Sequence, residues 1–249
     1  MRTGAGVIAL TLFGFAASSA AAQEWYTGAR STQPENTFGA AVDASLAGTS
    51  QGALHGVMIG TIAPFTKLNE SGMRLRLGGL LGSYSYTSSA PGVGDVTGRE
   101  AGASFMGGYE WRTRNSSIAF YLGGDVQNRS LSKPDPSNNV VGMSWGFKTA
   151  LDFYMNPTAK TMVSANLTYS TVNNSFYSRL KGGYAMMGRI FVGPEILILG
   201  DSFYQQFRVG AHLTGVQLGA MQFGVSGGFV QDKKNGAGAY GILDARVGF

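Results

Sequence analysis

Few residues in this sequence could perform chemistry, because it contains two histidines and no cysteine. Asp43, Ser45 and His55 lie close together in the chain, and a carboxylate that orients a histidine base beside a serine is typical of a hydrolase. No HExxH, GxSxG, P-loop or dinucleotide-binding motif occurs. His212 is expected at a different height from His55. We therefore favour an ion pair between Asp43 and His55, and expect no catalytic site, metal or cofactor.

The elements that position these residues are predicted by alternation with a period of two. Segments of roughly ten to fourteen residues alternate apolar and polar side chains and are separated by Gly, Pro, Asn, Asp or Ser, which is typical of membrane barrels. In the segment near 203–215, one face is apolar and the other carries Arg208 and His212. We predict an all-β fold: a closed antiparallel transmembrane β-barrel of about 12 strands (about 10 to 14).

Alternation alone does not separate a membrane barrel from a soluble sandwich. The charged fraction of 13% is about half the usual ~25%. Long connections are predicted at one end of the barrel, at 87–99, 132–139 and 231–238. Short ones are predicted at the other end, at 156–159, 186–189 and 216–220. This asymmetry, aromatic residues near strand ends and the final Phe249 favour the outer membrane.

The N-terminal residues predict export. A basic start, an apolar run over 7–17 and three alanines before Gln23 are typical of a secretory signal peptide. The run is too short to cross a bilayer as a helix. We expect a cleaved signal peptide at 1–22, a short periplasmic segment at 23–35 and an outer-membrane barrel at 36–249.

Charged residues on the inward-facing side of the strands would form a polar network in the lumen. Three cross-strand pairs are expected: Asp43 with His55, Arg76 with Glu110, and Glu195 with Arg208. Two interpretations remain open, since mutually neutralised charges could simply fill a narrow barrel or could form a track for a ligand. The net charge of +5 is too small to predict a nucleic-acid partner.

Four tyrosines are expected near the outer rim of the barrel: Tyr84, Tyr86, Tyr177 and Tyr204. Tyrosine rings at a rim can stack on sugar rings and hydrogen-bond to hydroxyls. They can equally anchor the protein at the bilayer interface, where one edge of the ring is wet. The sequence alone supports both roles.

Five stretches carry a resemblance to a known family, and they lie at 73–86, 106–111, 133–142, 177–184 and 192–215. The most distinctive contains GPE, then GD, then a Tyr, Gln and Arg-Val-Gly sequence. These stretches resemble the cellulose biosynthesis protein BcsS family. The resemblance implies an outer-membrane role that accompanies bacterial cellulose production, and it transfers no catalytic residue.

Two functional hypotheses follow. The first is a non-enzymatic barrel that assists export, anchoring or surface organisation of a β-glucan, with outer-membrane lipid and cellulose or other cellulose-synthesis components as partners. The second is an outer-membrane enzyme that modifies lipid or polysaccharide. A plain diffusion pore is disfavoured, because about 12 strands enclose a lumen narrower than that of sixteen-stranded porins.

Overall fold

A computed structural model describes residues 39–188 and 190–249. The predicted signal peptide at 1–22 and the predicted periplasmic segment at 23–35 lie outside this part of the chain. Within it, no helix is long and apolar enough to cross a membrane.

The described residues form a closed antiparallel barrel of twelve strands, which confirms the predicted fold class. The strands are β1 (Ala40–Thr49), β2 (Leu54–Ile62), β3 (Gly72–Thr87), β4 (Asp95–Arg112), β5 (Ser116–Leu131), β6 (Gly142–Thr158), β7 (Thr161–Ser170), β8 (Ser175–Met187), β9 (Ile190–Gly200), β10 (Gln205–Leu218), β11 (Met221–Asp232) and β12 (Gly236–Gly248). One 3-10 turn, Val172–Asn174, precedes β8.

The barrel closes where the first strand pairs with the last. The register of β1 and β12 runs from Ala41 opposite Gly248 to Thr49 opposite Tyr240. The Phe249 amide donates to the carbonyl of Ala40 at 2.9 Å, and its own carbonyl accepts from the amide of Gly39 at 3.0 Å. Closure leaves no strand edge with unpaired backbone groups, which is a requirement for crossing a bilayer.

The alternation predicted from the sequence determines which side chains face outward. Along β12, Tyr240, Ile242 and Asp244 are buried, while the intervening Leu243 is 51% exposed. The same pattern around the barrel gives an apolar exterior and a lumen rich in buried charges. A water-soluble sandwich has the opposite arrangement, so these strands are those of a transmembrane barrel.

The connections differ between the two ends of the barrel. The long connections 88–94 and 132–141 lie at one end, which we call the loop end. The predicted long connection at 231–238 shortens to 233–235, because β11 and β12 both extend into it. The opposite end, which we call the turn end, has short connections except for 63–71, whose length the sequence analysis did not anticipate.

Candidate functional site: a cup at the loop end

A cavity of about 290 Å³ occupies the part of the lumen nearest the loop end. Its wall consists of side chains from every strand except β11, and it extends from Tyr84 and Tyr204 near the loop end to Asp43 and Arg76 nearer the turn end. The wall includes the rings of Tyr84, Tyr177, Phe203 and Tyr204 and the guanidinium group of Arg208. We call this cavity the cup.

Beside the cup, buried ions fill another part of the lumen. The Arg179 guanidinium lies 2.8 Å from the Glu195 carboxylate and 2.9 Å from that of Asp244. The Lys181 ammonium lies 3.3 Å from Asp244. All four side chains are at most 3% exposed. We call these four residues the lumen ion network, and none of them lines the cup.

The connection 63–71 is held against the turn end by one buried arginine. The Arg74 guanidinium donates to the Thr66 hydroxyl at 3.0 Å and to the carbonyls of Lys67 and Glu70. It also pairs with Glu110 at 2.8 Å. A fully buried arginine needs several acceptors, because its desolvation is otherwise uncompensated. Arg74 therefore fixes this connection to the barrel.

The predicted pair between Asp43 and His55 is wrong. Asp43 lies opposite Ile59 on β2, because the connection 50–53 sets that register, and His55 lies four residues further toward the loop end. Asp43 instead pairs with Arg246 at 3.2 Å across the closing seam. His55 pairs with Glu100 at 3.1 Å. Gly82 permits that contact, since a Cβ there would lie 2.4 Å from the His55 ring.

The predicted pair between Arg76 and Glu110 is also wrong. Arg76 lies opposite Met106 on β4, whereas Glu110 lies opposite Gly72 at the turn end. The Arg76 guanidinium reaches across the lumen to Asp152 on β6 at 2.6 Å. It also stacks 3.6 Å from the centre of the Tyr121 ring.

The third predicted pair, Glu195 with Arg208, does not form either. Glu195 lies opposite Gly210 on β10, two residues from Arg208. The carboxylate of Glu195 instead forms an ion pair with Arg179. The Nε atom of Arg208 donates to the Gln206 side chain at 2.6 Å, and its guanidinium lies 5.4 Å from the centre of the Tyr240 ring.

Three of the four predicted rim tyrosines gather at the mouth of the cup. The Tyr84 ring lies 6.1 Å from that of Tyr86 and 6.4 Å from that of Tyr204, and Phe203 packs edge-on to Tyr86 at 5.2 Å. Gly98 makes room for Tyr84, because a Cβ there would lie 2.3 Å from its ring.

Tyr177 lies deeper than the rim, in the cup wall beside Leu197 and Ile242. Tyr86 is 3% exposed beneath the connection 132–141. Its hydroxyl donates to the Asp135 carboxylate at 2.7 Å. Tyr84, Tyr177 and Tyr204 are therefore the tyrosines of this set that line the cup.

Asp135 fastens the connection 132–141 to the mouth of the cup. Its carboxylate accepts from the hydroxyls of Tyr86 and Ser88, each at 2.7 Å, and from the Ser137 amide at 2.9 Å. Desolvation raises the pKa of Asp135, but the hydrogen bonds from Ser88, Tyr86 and Ser137 outweigh it and hold that pKa well below its usual range. The connection is thus anchored by an ionised carboxylate.

The residues proposed for hydrolysis do not form one site. The Ser45 hydroxyl donates to Asp244 at 2.9 Å, while His55 is occupied by Glu100. His212 lies below the cup, where it bonds the carbonyl of Gly182 at 3.0 Å. His55 and Glu100 could act as a base and its orienting carboxylate, but no serine hydroxyl of the described residues hydrogen-bonds to His55. Nor do the described His, Asp and Glu residues form a metal-binding cluster.

Glu100 and Asp152 are ion partners that the sequence analysis missed. The alternation itself could have found them, since Glu100 shares its face with Ser104 and Asp152 shares its face with Lys148. Alternation could not have identified their partners, because the contacts of Glu100 with His55 and of Asp152 with Arg76 depend on strand register and on side-chain length.

The fold and the cup together define a transmembrane β-barrel whose loop-end lumen is open enough to hold a small ligand. The sequence matches the cellulose biosynthesis protein BcsS family over residues 36–249, and the chain belongs to this family. A search of curated proteins finds no match.

Three solved structures match this chain at low sequence identity. The KdgM porin is 12% identical, with a TM-score of 0.46, covering 84% of this chain and 99% of the porin. The KdgM porin in complex with disordered oligogalacturonate is 13% identical, with a TM-score of 0.43 and the same coverage. A Pseudomonas aeruginosa FadL homologue is 9% identical, with a TM-score of 0.39, covering 78% of this chain and 68% of the homologue. None of these similarities bears on what this chain binds.

Proposed function

We propose that this protein is an outer-membrane barrel that accompanies bacterial cellulose biosynthesis by binding a β-glucan chain at the loop-end cup. Binding there would assist export, anchoring or surface organisation of the glucan without chemical change to it. Membership of the BcsS family supports the link to cellulose. The apolar exterior supports a position in a membrane, and the uneven connections support the outer membrane with the loop end outside.

The observation that carries the proposal is the combination of rings and hydrogen-bonding groups in the cup. Tyr84, Tyr177 and Tyr204 present aromatic surface to the cavity, on which the apolar faces of pyranose rings can stack. Gln127 and Gln206 lie in the same wall, and the second lone pair of each amide oxygen can accept a hydrogen bond from a sugar hydroxyl. The volume of about 290 Å³ falls near the lower limit of small-molecule sites, roughly 300 Å³. It suits one or two sugar units at a chain end.

The buried ions beside the cup and at the turn end favour binding at the loop end over free passage. The lumen ion network and the ion pair of Arg74 with Glu110 are buried. A solute that diffused through would have to displace these ion pairs, and breaking a buried pair is costly. We therefore place the glucan at the mouth and in the cup.

Deletion and complementation test this proposal. Loss of the protein should leave glucan synthesis in isolated inner membranes intact and should change the amount, attachment or texture of cellulose at the cell surface. The double variant Tyr84→Ala, Tyr204→Ala and a variant lacking 133–139 should reproduce much of that defect. Tyr184→Ala, which removes an outward ring that is 57% exposed, is the matched control and should not.

The alternative enzymatic function predicts the opposite result. His55→Ala or Asp43→Asn should have little effect on surface cellulose if both residues serve the structure of the lumen. Loss of the surface phenotype in His55→Ala, in a barrel that still migrates as a folded species on unheated gels, would support an enzyme that uses the His55 and Glu100 pair.

A further inference from the structure

Each carboxylate that lines the cup has a basic side chain within ion-pair distance. They pair as follows: Asp43 with Arg246, Glu100 with His55 and Arg129, Asp125 with Lys148, Asp152 with Arg76, and Asp201 with Arg129. The cup therefore contains no carboxylate without a cationic neighbour. Its acidic groups leave little unbalanced negative charge to repel an anion.

Arg208 is the exception among the cations of the cup wall. It is 2% exposed, and no carboxylate of the described residues lies within ion-pair distance of it. Its hydrogen bond runs from Nε to Gln206, which leaves the two terminal nitrogens without a partner in residues 39–188 and 190–249. Arg208 lines the cavity, so these two nitrogens can meet a ligand there.

Gln206 separates Arg208 from the nearest acidic group along the wall. The amide nitrogen of Gln206 donates to Asp232 at 3.3 Å and to the Tyr204 hydroxyl at 2.7 Å, while its oxygen accepts from Arg208. Gln206 is thereby fixed at both ends and holds the guanidinium plane in place. The Tyr240 ring on the other side completes the support.

We propose that Arg208 is a subsite for a carboxylate carried by the saccharide that enters the cup. This inference rests on the proposed function and specifies the ligand as an acidic glucan. A guanidinium group offers two parallel N–H donors whose spacing matches a carboxylate, and burial strengthens such a pair. A buried arginine without a counter-ion is unfavourable. A carboxylate on the ligand would supply the counter-ion that Arg208 lacks. The carboxylate could belong to a uronic acid unit or to a charged substituent on a hexose.

The test measures binding of defined oligosaccharides by calorimetry to the folded full barrel in nanodiscs. The three probes are cellotetraose, cellotetraose oxidised to the carboxylate at C6, and carboxymethylated cellotetraose. We expect at least one acidic probe to bind about tenfold more tightly than cellotetraose, because a hydrogen bond between two charged groups is stronger than one between neutral groups. The acidic probe that binds more tightly identifies the source of the carboxylate.

Two variants separate this role from a structural one. Arg208→Gln should abolish the preference for acidic probes and leave the affinity for cellotetraose nearly unchanged. Arg208→Lys should retain only part of the preference for acidic probes, because an ammonium group cannot make the bidentate contact that a guanidinium makes with a carboxylate. The matched control is the double variant Lys148→Gln, Asp125→Asn, which removes a paired cup cation together with its partner and should leave the preference intact.

The outcomes distinguish this inference from the proposed function. Equal binding of neutral and acidic probes would overturn the subsite while leaving a glucan-binding cup. Loss of discrimination in the Lys148→Gln, Asp125→Asn double variant but not in Arg208→Gln would also overturn it. Binding of no probe by a folded barrel would overturn both proposals, whereas discrimination lost in Arg208→Gln alone would support both.

Discussion

The two halves of the lumen use the same kinds of side chain for different purposes. Outside the cup, Arg74, Arg179 and Glu195 are at most 1% exposed and their charges are matched by ion pairs. In the loop-end half, rings and Arg208 surround an open cup. The difference shows that a charged side chain inside a barrel can stabilise the fold or can bind a ligand. A side chain that can bind a ligand is recognised because it has no ion partner within the protein.

The largest effect should come from breaking the lumen ion network. Glu195→Ala leaves Arg179 and Lys181 with less counter-charge, and removing one partner of a buried pair costs about 3 to 5 kcal/mol. The folded fraction, read from gel mobility without heating across a urea series, should fall sharply.

A double-mutant cycle sharpens this prediction. The combination of Glu195→Ala with Arg179→Met should cost less than the sum of the single changes, because the two residues are partners at 2.8 Å. The combination of Glu195→Ala with Arg74→Met should be close to additive, because the described contacts of these two residues share no partner. Additivity in the first cycle would contradict the assignment of the network.

A smaller loss of stability is expected from Arg74→Met at the turn end. This change removes the donors that hold the carbonyls of Lys67 and Glu70 and leaves them unsatisfied. Each such loss costs about 1 to 3 kcal/mol. The connection 63–71 should become a site of proteolysis in a barrel whose cup still binds glucan. Unchanged protease resistance would show that other contacts hold it.

A change at the mouth should affect binding more than stability. Gly98→Ala places a Cβ 2.3 Å from the Tyr84 ring, so that ring must move. Overpacking of this kind costs about 1 to 3 kcal/mol at most sites, and less here because the ring can swing into the cup. Affinity for cello-oligosaccharides should fall. Gly241→Ala, which meets open space, is the control and should bind normally.

The smallest effect should be confined to the connection 132–141 and should depend on pH. The folded-state pKa of Asp135 is depressed, so its contribution is fully present above the ordinary value of 3.8 and is lost as pH falls toward the lower folded value. Protease cleavage of the connection should therefore increase below about pH 4. In Asp135→Asn, protease should cleave the connection readily at every pH. If this variant resists protease as well as the wild type does, the Asp135 carboxylate does not anchor the connection.

The sequence predicted the strands and the two faces of the barrel well. Successive side chains of a strand point to opposite faces. Leu243 therefore faces the lipid and Asp244 faces the lumen, and the alternation of apolar and polar residues shows this directly in the sequence. The predicted closure of the last strand on the first is confirmed by the register of β12 with β1. The link to cellulose biosynthesis is confirmed by the family match.

Ion partners could not be predicted, because they depend on distances that alternation does not encode. The four residues of connection 50–53 decide that Asp43 faces Ile59 rather than His55. Arginine side chains also reach past the adjacent strand, as Arg76 does in meeting Asp152 from β3 to β6. The cup itself was not predicted, since it arises where twelve strands leave space between side chains of different lengths.

The closing seam has a consequence for how the chain reaches its native state. The bond between Arg246 and Asp43 joins residues 203 positions apart, and that between Ser45 and Asp244 spans 199. Contacts so distant in sequence require a large loss of chain entropy before they return any stability, which makes their formation slow. We expect the pairing of β1 with β12 to limit the rate at which the barrel assembles. Until it occurs, β1 and β12 each present an unpaired edge that a neighbouring chain could capture.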